Sequence, residues 1–175
     1  ARPVSAVDLL DEVSRARLDG WGNRAVLTGP PTPSASIPAV WAAQVARSPA
    51  AVALTDGSRS WTYQEVDEAA NRLAHLISRH GVSAGARVAL LLERSAEAVV
   101  SILAVLKAGA AYLPLDPGWP SARLELMLAD ATPTAVITTA GQRARCDGQH
   151  LAVIAVDEAN LGPDLEAGPN HAPPP

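Results

Sequence analysis

The sequence predicts an α/β fold: a partial, mainly parallel sheet with flanking helices, preceded by a linker with a short helix. Three observations carry this. From Arg87 onward, short apolar runs alternate with segments of helical period. The run "RVALLL" is apolar without alternation, as expected of a strand covered on both faces. With 175 residues, a hydrophobic share of 48% and a charged share of 18%, the chain can pack one core and does not have the composition of a disordered segment.

Each element has its own signal. Asp11 is placed to cap a short helix through Leu18, with Val13 and Leu18 as its sparse apolar contacts. "TGPPTPSAS" (28–36) has linker composition. Ser36 then caps a helix with Ile37, Val40, Trp41 and Val45 at helical spacing, stopped by Pro49. Two short strands flank the turn signal Asp56-Gly57. Thr62 and Glu65 have the spacing of a capping box, opening a helix whose apolar face is Val66, Ala69, Ala70, Leu73 and Ile77. Asp67, Glu68, Arg72 and Arg79 take its polar side, and Gly81 follows as the left-handed stop.

The strand "RVALLL" is followed by a helix capped by Ser95, with Val99, Ile102, Leu103 and Leu106 as its apolar set and Gly109 at its end. "AAYLPLD" reads as a second buried strand. Ser121 is expected to cap a helix carrying Leu124, Met127 and Leu128, and "TAVITT" and "LAVIAV" are expected as further strands. The final "NLGPDLEAGPNHAPPP" loses periodicity and reads as a tail or connection.

Composition excludes several function classes. A net charge of -4 gives no electrostatic case for nucleic acid or an anionic membrane. The longest apolar stretch, 98–115, is interrupted by Lys107, Gly109 and Pro114 and divides into a helix and a strand. Cys146 is the single cysteine, so an intrachain disulfide is impossible, and a reducing, cytoplasmic setting is expected. His75 and His80 lie five apart, unlike a metal-binding pair, and His150 and His171 are isolated.

In a parallel sheet, ligands bind beyond the strands' carboxyl ends. Glu93, Arg94 and Ser95 follow one predicted strand, Asp116 the next, and Thr138 and Thr139 end another. No G-x-G-x-x-G or G-x-x-x-x-G-K-[ST] pattern accompanies them. Lys107, the one lysine against thirteen arginines, could be a desolvated amine or a helix-end charge with its stem on apolar surface. Asp116 could hold a ribose or a metal, or form an Asx turn beside Pro117.

Two stretches go beyond generic patterning. "WTYQEV" (61–66) resembles the first signature of the adenylation domains of nonribosomal peptide synthetases, with its T-Y-x-E core. "LKAGAAYLPLDP" (106–117) resembles the second, which opens L-K-A-G-x-A-Y and closes on Pro-Leu/Ile-Asp. "DPGWPSARLELMLADATPTAVITT" is similar to the segment that follows it, and "VDLLDEVSRARLDGWGN" looks like the connector from a condensation domain.

The resemblance implies the first part of the large subdomain of an adenylate-forming enzyme. Residues 1–35 would be the interdomain linker, 36–160 the N-terminal α/β portion and 161–175 a Pro/Gly-rich tail or truncated connection. A complete domain of this family uses ATP and Mg²⁺ to form an aminoacyl adenylate and loads the phosphopantetheine thiol of a carrier domain. Its glycine-rich phosphate loop and catalytic lysine would follow Pro175, so Lys107 is not that lysine. No catalytic, cofactor-binding or metal-binding residue is assigned to these 175 residues, and no cofactor is expected in them alone. The implied partners are an upstream condensation domain, the rest of the adenylation domain and the carrier domain. Two alternatives stay open: a docking module between condensation and adenylation domains, and a stand-alone flavodoxin-like nucleotide binder.

Overall fold

The computed structural model describes residues 10–22, 28–29, 35–146 and 151–157. It divides into two units, residues 1–34 and 35–175. In the first, α1 (Glu12–Trp21) is capped by Asp11, whose carboxylate accepts from the Ser14 amide at 2.7 Å. That bond, and a second to the Ser14 hydroxyl, hold the Asp11 carboxyl below its ordinary value. The helix buries no residue within its unit.

The second unit opens with α2 (Ile37–Arg47), capped by Ser36, and a hairpin of β1 (Val52–Asp56) and β2 (Arg59–Thr62). The hairpin turns at Gly57-Ser58, with positive φ at Gly57, the glycine-first arrangement that suits two-residue hairpins. In α2 the packed stripe is Trp41, Gln44 and Val45, all half-buried. Ile37 and Val40, expected to face inward, are 60% and 59% exposed because no described element covers them.

The helix α3 (Tyr63–Arg79) begins with a complete capping box. The Thr62 amide donates to Glu65 Oε2 at 2.7 Å, and the Glu65 amide donates to Thr62 Oγ1 at 3.2 Å. Its apolar face is buried as the periodicity predicts, and Gly81 follows with φ 87°.

The main sheet comprises β3 (Arg87–Leu91), β4 (Ala111–Leu115), β5 (Ala135–Thr138) and β6 (Ala152–Ala155), all parallel, in the order β4-β3-β5-β6. From β3 the chain crosses to β4 through α4 (Ala96–Lys107), then returns past β3 to β5 through α5 (Ser121–Ala131). Two crossovers in opposite directions place their helices on opposite faces. The core divides accordingly. Val88, Leu90 and Ile137 pack with α3 and α4, while Ala89, Leu91 and Val136 pack with Leu124 and Leu128 of α5. This two-sided burial explains the unbroken apolar run of β3.

Three further expectations are corrected. The inward residues of α4 are Val100, Leu103, Ala104 and Val105, with Val99 exposed, because α4 is covered by α3 on one side and the sheet on another. Among the described residues the strand β4 is an edge, not a buried strand: Ala111, Tyr112 and Pro114 are exposed, and no described strand needs the donor that Pro114 lacks. Ser121 does not cap α5. Arg123 and Leu124 amides donate to the Pro120 carbonyl, so the helix begins one residue earlier and has no side-chain cap. Among the described residues, no helix is long and apolar enough to cross a membrane.

Candidate functional site

The strands β3 and β5 are neighbours whose onward connections run in opposite directions, toward β4 and β6. Their carboxyl ends therefore flank the crevice where open α/β sheets bind ligands. A cavity of about 460 Å³ lies there, lined by Glu93, Ser95, Glu97, Thr139, Gly141 and Asp157 among others. A broader cleft of about 850 Å³ adjoins it, lined by Arg94, Asp116, Gly118, Trp119 and Gln142. Leu92, Glu93, Pro117 and Gln142 line both.

The walls of this groove are fixed by hydrogen bonds within the protein. Asp116 forms the Asx turn, its Oδ1 accepting from the Gly118 amide at 2.7 Å. Arg145 donates to the carbonyls of Pro117 and of Trp119, the latter at 2.5 Å, and to Gln142 Oε1 at 3.2 Å. It thereby ties the β4 exit to the 3₁₀ helix Ala140–Cys146. Arg123 stacks on Trp119 at 4.2 Å from its ring centroid.

Some of the amides at the helix starts beside this groove are bonded to the chain's own side chains. At the start of α4, the Ala96 amide donates to Asp56 Oδ2 at 2.8 Å, across forty residues of sequence, and the Ala98 amide donates to Ser95 Oγ at 3.3 Å. At the 3₁₀ helix, the Ala140 amide donates to both carboxylate oxygens of Asp157, at 2.8 and 3.1 Å. Helix N-termini hold anions through free amides and dipole. Here two of them carry an aspartate of the chain itself, Asp56 on the Ala96 amide and Asp157 on the Ala140 amide. Among the described residues, no group of three His, Cys, Asp or Glu side chains could hold a metal.

The candidates from the sequence are thus dispersed. Thr138 is buried and donates to the Leu91 carbonyl at 3.1 Å, a strand-to-strand tie, while its neighbour Thr139 reaches the groove. Cys146 is buried against the α5 face. His75 and His80 sit on and just after α3, while His150, His171 and the tail lie outside the described residues. Lys107 stands apart from the groove, in the last turn of α4. Its side chain is 6% exposed, with Nζ 2.6 Å from Asp67 Oδ1 and from Asn71 Oδ1. Asp67, placed by periodicity on the polar side of α3, also accepts from Trp41 Nε1 at 2.8 Å. The sequence holds no signal for this cluster, because its members are distant and only packing brings them together.

The comparisons with known proteins identify the family and the fold. The family model described as AMP-binding enzyme matches residues 41–172. The chain is 54% identical over 173 residues to the isonitrile lipopeptide synthase of Mycobacterium tuberculosis, covering 99% of this chain and 7% of that protein. It is 38% identical over 168 residues to the phosphinothricin tripeptide synthetase PhsB of Streptomyces viridochromogenes, covering 94% of this chain and 14% of that protein. The chain therefore spans only a small part of these relatives.

Among solved structures, the nonribosomal peptide synthetase FmoA3 in an α-methyl-L-serine-AMP bound form superposes with a TM-score of 0.76 at 26% identity, over 97% of this chain and 18% of that one. The four-domain synthetase AB3403, bound to AMP and glycine, gives 0.64 at 30% identity, over 72% of this chain and 9% of that one. The chain belongs to the AMP-binding enzyme family, and over nearly its whole length it is similar to the N-terminal part of the adenylation domains of nonribosomal peptide synthetases.

Proposed function

We propose that these 175 residues are scaffold for an amino-acid-activating domain and do not activate an amino acid alone. The complete domain would use ATP and Mg²⁺ to make an aminoacyl adenylate and pass the acyl group to the phosphopantetheine thiol of a carrier domain, in the cytoplasm. Residues 1–35 would serve as the linker from a condensation domain, residues 36–160 as the first α/β portion and residues 161–175 as the connection onward.

The observation that supports this reading is that Asp56 and Asp157 each accept from an amide at a helix start beside the groove, Ala96 and Ala140. The signature 106–117 fits the same role, since it folds as a helix end, a turn and an edge strand. The strand order also suits a flavodoxin-like nucleotide binder. That reading needs a phosphate-binding exit after β3, where the sequence has Glu93-Arg94-Ser95 in place of a glycine-rich loop.

ATP–pyrophosphate exchange with a panel of amino acids tests the proposal. The 175-residue chain is expected to give background exchange, and the polypeptide extended through the whole adenylation domain to give amino-acid-dependent exchange. Exchange by the short chain, or none by the extended one, would sink it.

A further inference from the structure

We propose that α2 is a hinged strap: it opens as a unit while α3 and the main sheet stay folded, and Asp67 is the latch that holds it closed.

The packing of α2 is shallow. It buries no residue, whereas α3 buries seven. The cavity of about 310 Å³ between α2 and Tyr63 is lined by Ile37, Val40, Trp41 and Gln44, so even its inner stripe meets the body incompletely. Among the described residues, the one side-chain hydrogen bond from α2 to another element is Trp41 Nε1 to Asp67 Oδ1. Trp41 adds a tilted ring contact with Tyr63, 5.1 Å between centroids.

The end beyond α2 is pinned. The Gln64 amide donates to the Pro49 carbonyl and the Tyr63 amide to the Ala51 carbonyl, both at 3.0 Å. Between helix and pin, Ser48 leaves helical geometry at φ -147°, ψ 60°, where a rotation would swing α2 without disturbing β1. The latch also survives opening. Asp67 keeps Lys107 at 2.6 Å and Asn71 at 3.1 Å when Trp41 departs, so no buried carboxylate is orphaned. Opening thus gives up one charge-assisted hydrogen bond and a half-buried stripe, much less than unfolding α3 would.

Hydrogen–deuterium exchange on the full chain, read by peptide, tests this. Amides of residues 41–47 are expected to exchange at least tenfold faster than those of α3 and α4, yet slower than an unstructured peptide. Trp41→Phe keeps an aromatic ring and loses the donor. It should speed α2 exchange about tenfold or more and leave α3 unchanged. Ala43→Gly, on the exposed side of α2, weakens the helix without touching the latch and should speed α2 alone by about fivefold. Equal protection of α2 and α3, with Ala43→Gly accelerating both together, would make α2 part of one global unit and overturn the strap. Exchange of α2 at unstructured rates would overturn the latch.

Discussion

Lys107 Nζ lies 2.6 Å from Asp67 Oδ1, joining the last turn of α4 to the first half of α3. The lysine side chain is 6% exposed and the aspartate side chain 18%, so the pair is largely removed from water. Asn71 and Trp41 complete its hydrogen bonds. The lysine of the second signature is therefore a structural cation inside a helix–helix contact. It is not an accessible amine.

Removing one partner of such a pair leaves the other without its counter-ion. Lys107→Met is expected to destabilise the chain by about 2–3 kcal/mol, below the range for a fully enclosed pair because Asp67 keeps two neutral donors. Urea unfolding measures this. Asp67→Asn together with Lys107→Met should recover part of the loss, since no unpaired charge then remains. An unchanged midpoint for the single variant would show that the pair contributes nothing.

The capping box gives a pH dependence of defined sign. Hydrogen bonds from the Thr62 amide, then from its hydroxyl, hold the Glu65 carboxyl below its ordinary value of 4.5. A depressed folded value means stability present above the unfolded value and lost as pH falls through the folded one. Thr62→Ala, which removes the hydroxyl, is expected to cost about 1 kcal/mol at neutral pH. The difference from the parent should shrink as pH falls below 4.5, as followed by unfolding midpoints.

Ser101 is wholly buried on α4 and its Oγ has no hydrogen-bond partner. An unsatisfied hydroxyl in an apolar site is unfavourable, and alanine is the better helix former. Ser101→Ala should stabilise by about 1 kcal/mol, raising the thermal midpoint. A loss of stability would reveal a bond that the hydroxyl makes in solution.

Local features are legible in the sequence and distant ones are not. Thr62 and Glu65 cap one helix and stand three residues apart, so spacing alone identifies them. The forty residues between Asp67 and Lys107, or between Asp56 and Ala96, carry no periodic signal. Asp56 reads as a turn residue and serves instead at the start of α4. The all-apolar runs mark the strands, but apolarity alone does not separate the edge strand β4 from the central β3. At the groove, Asp116 is legible as a turn because Pro117 and Gly118 are adjacent, whereas Arg145 reaches its carbonyls from another connection.

Gly109 offers the sharpest test of the signature as architecture. Its φ is 72°, a conformation L side chains rarely adopt, and a Cβ there would stand 3.2 Å from Ala84 Cβ and 3.3 Å from Ala84 Cα. Its carbonyl also accepts from the Gly85 amide at 3.0 Å, so the α4–β4 turn and the loop before β3 are joined at close range. Gly109→Ala therefore meets a backbone penalty of about 1–2 kcal/mol and a contact that must open as well. Gly57, also at positive φ but with nothing within 4 Å of where a Cβ would stand, supplies the control for backbone strain alone. The expectation is a larger loss for Gly109→Ala than for Gly57→Ala in urea unfolding, with the excess relieved only if Ala84 can retreat. Equal losses would mean that the turn needs the glycine's conformation and not its lack of a side chain.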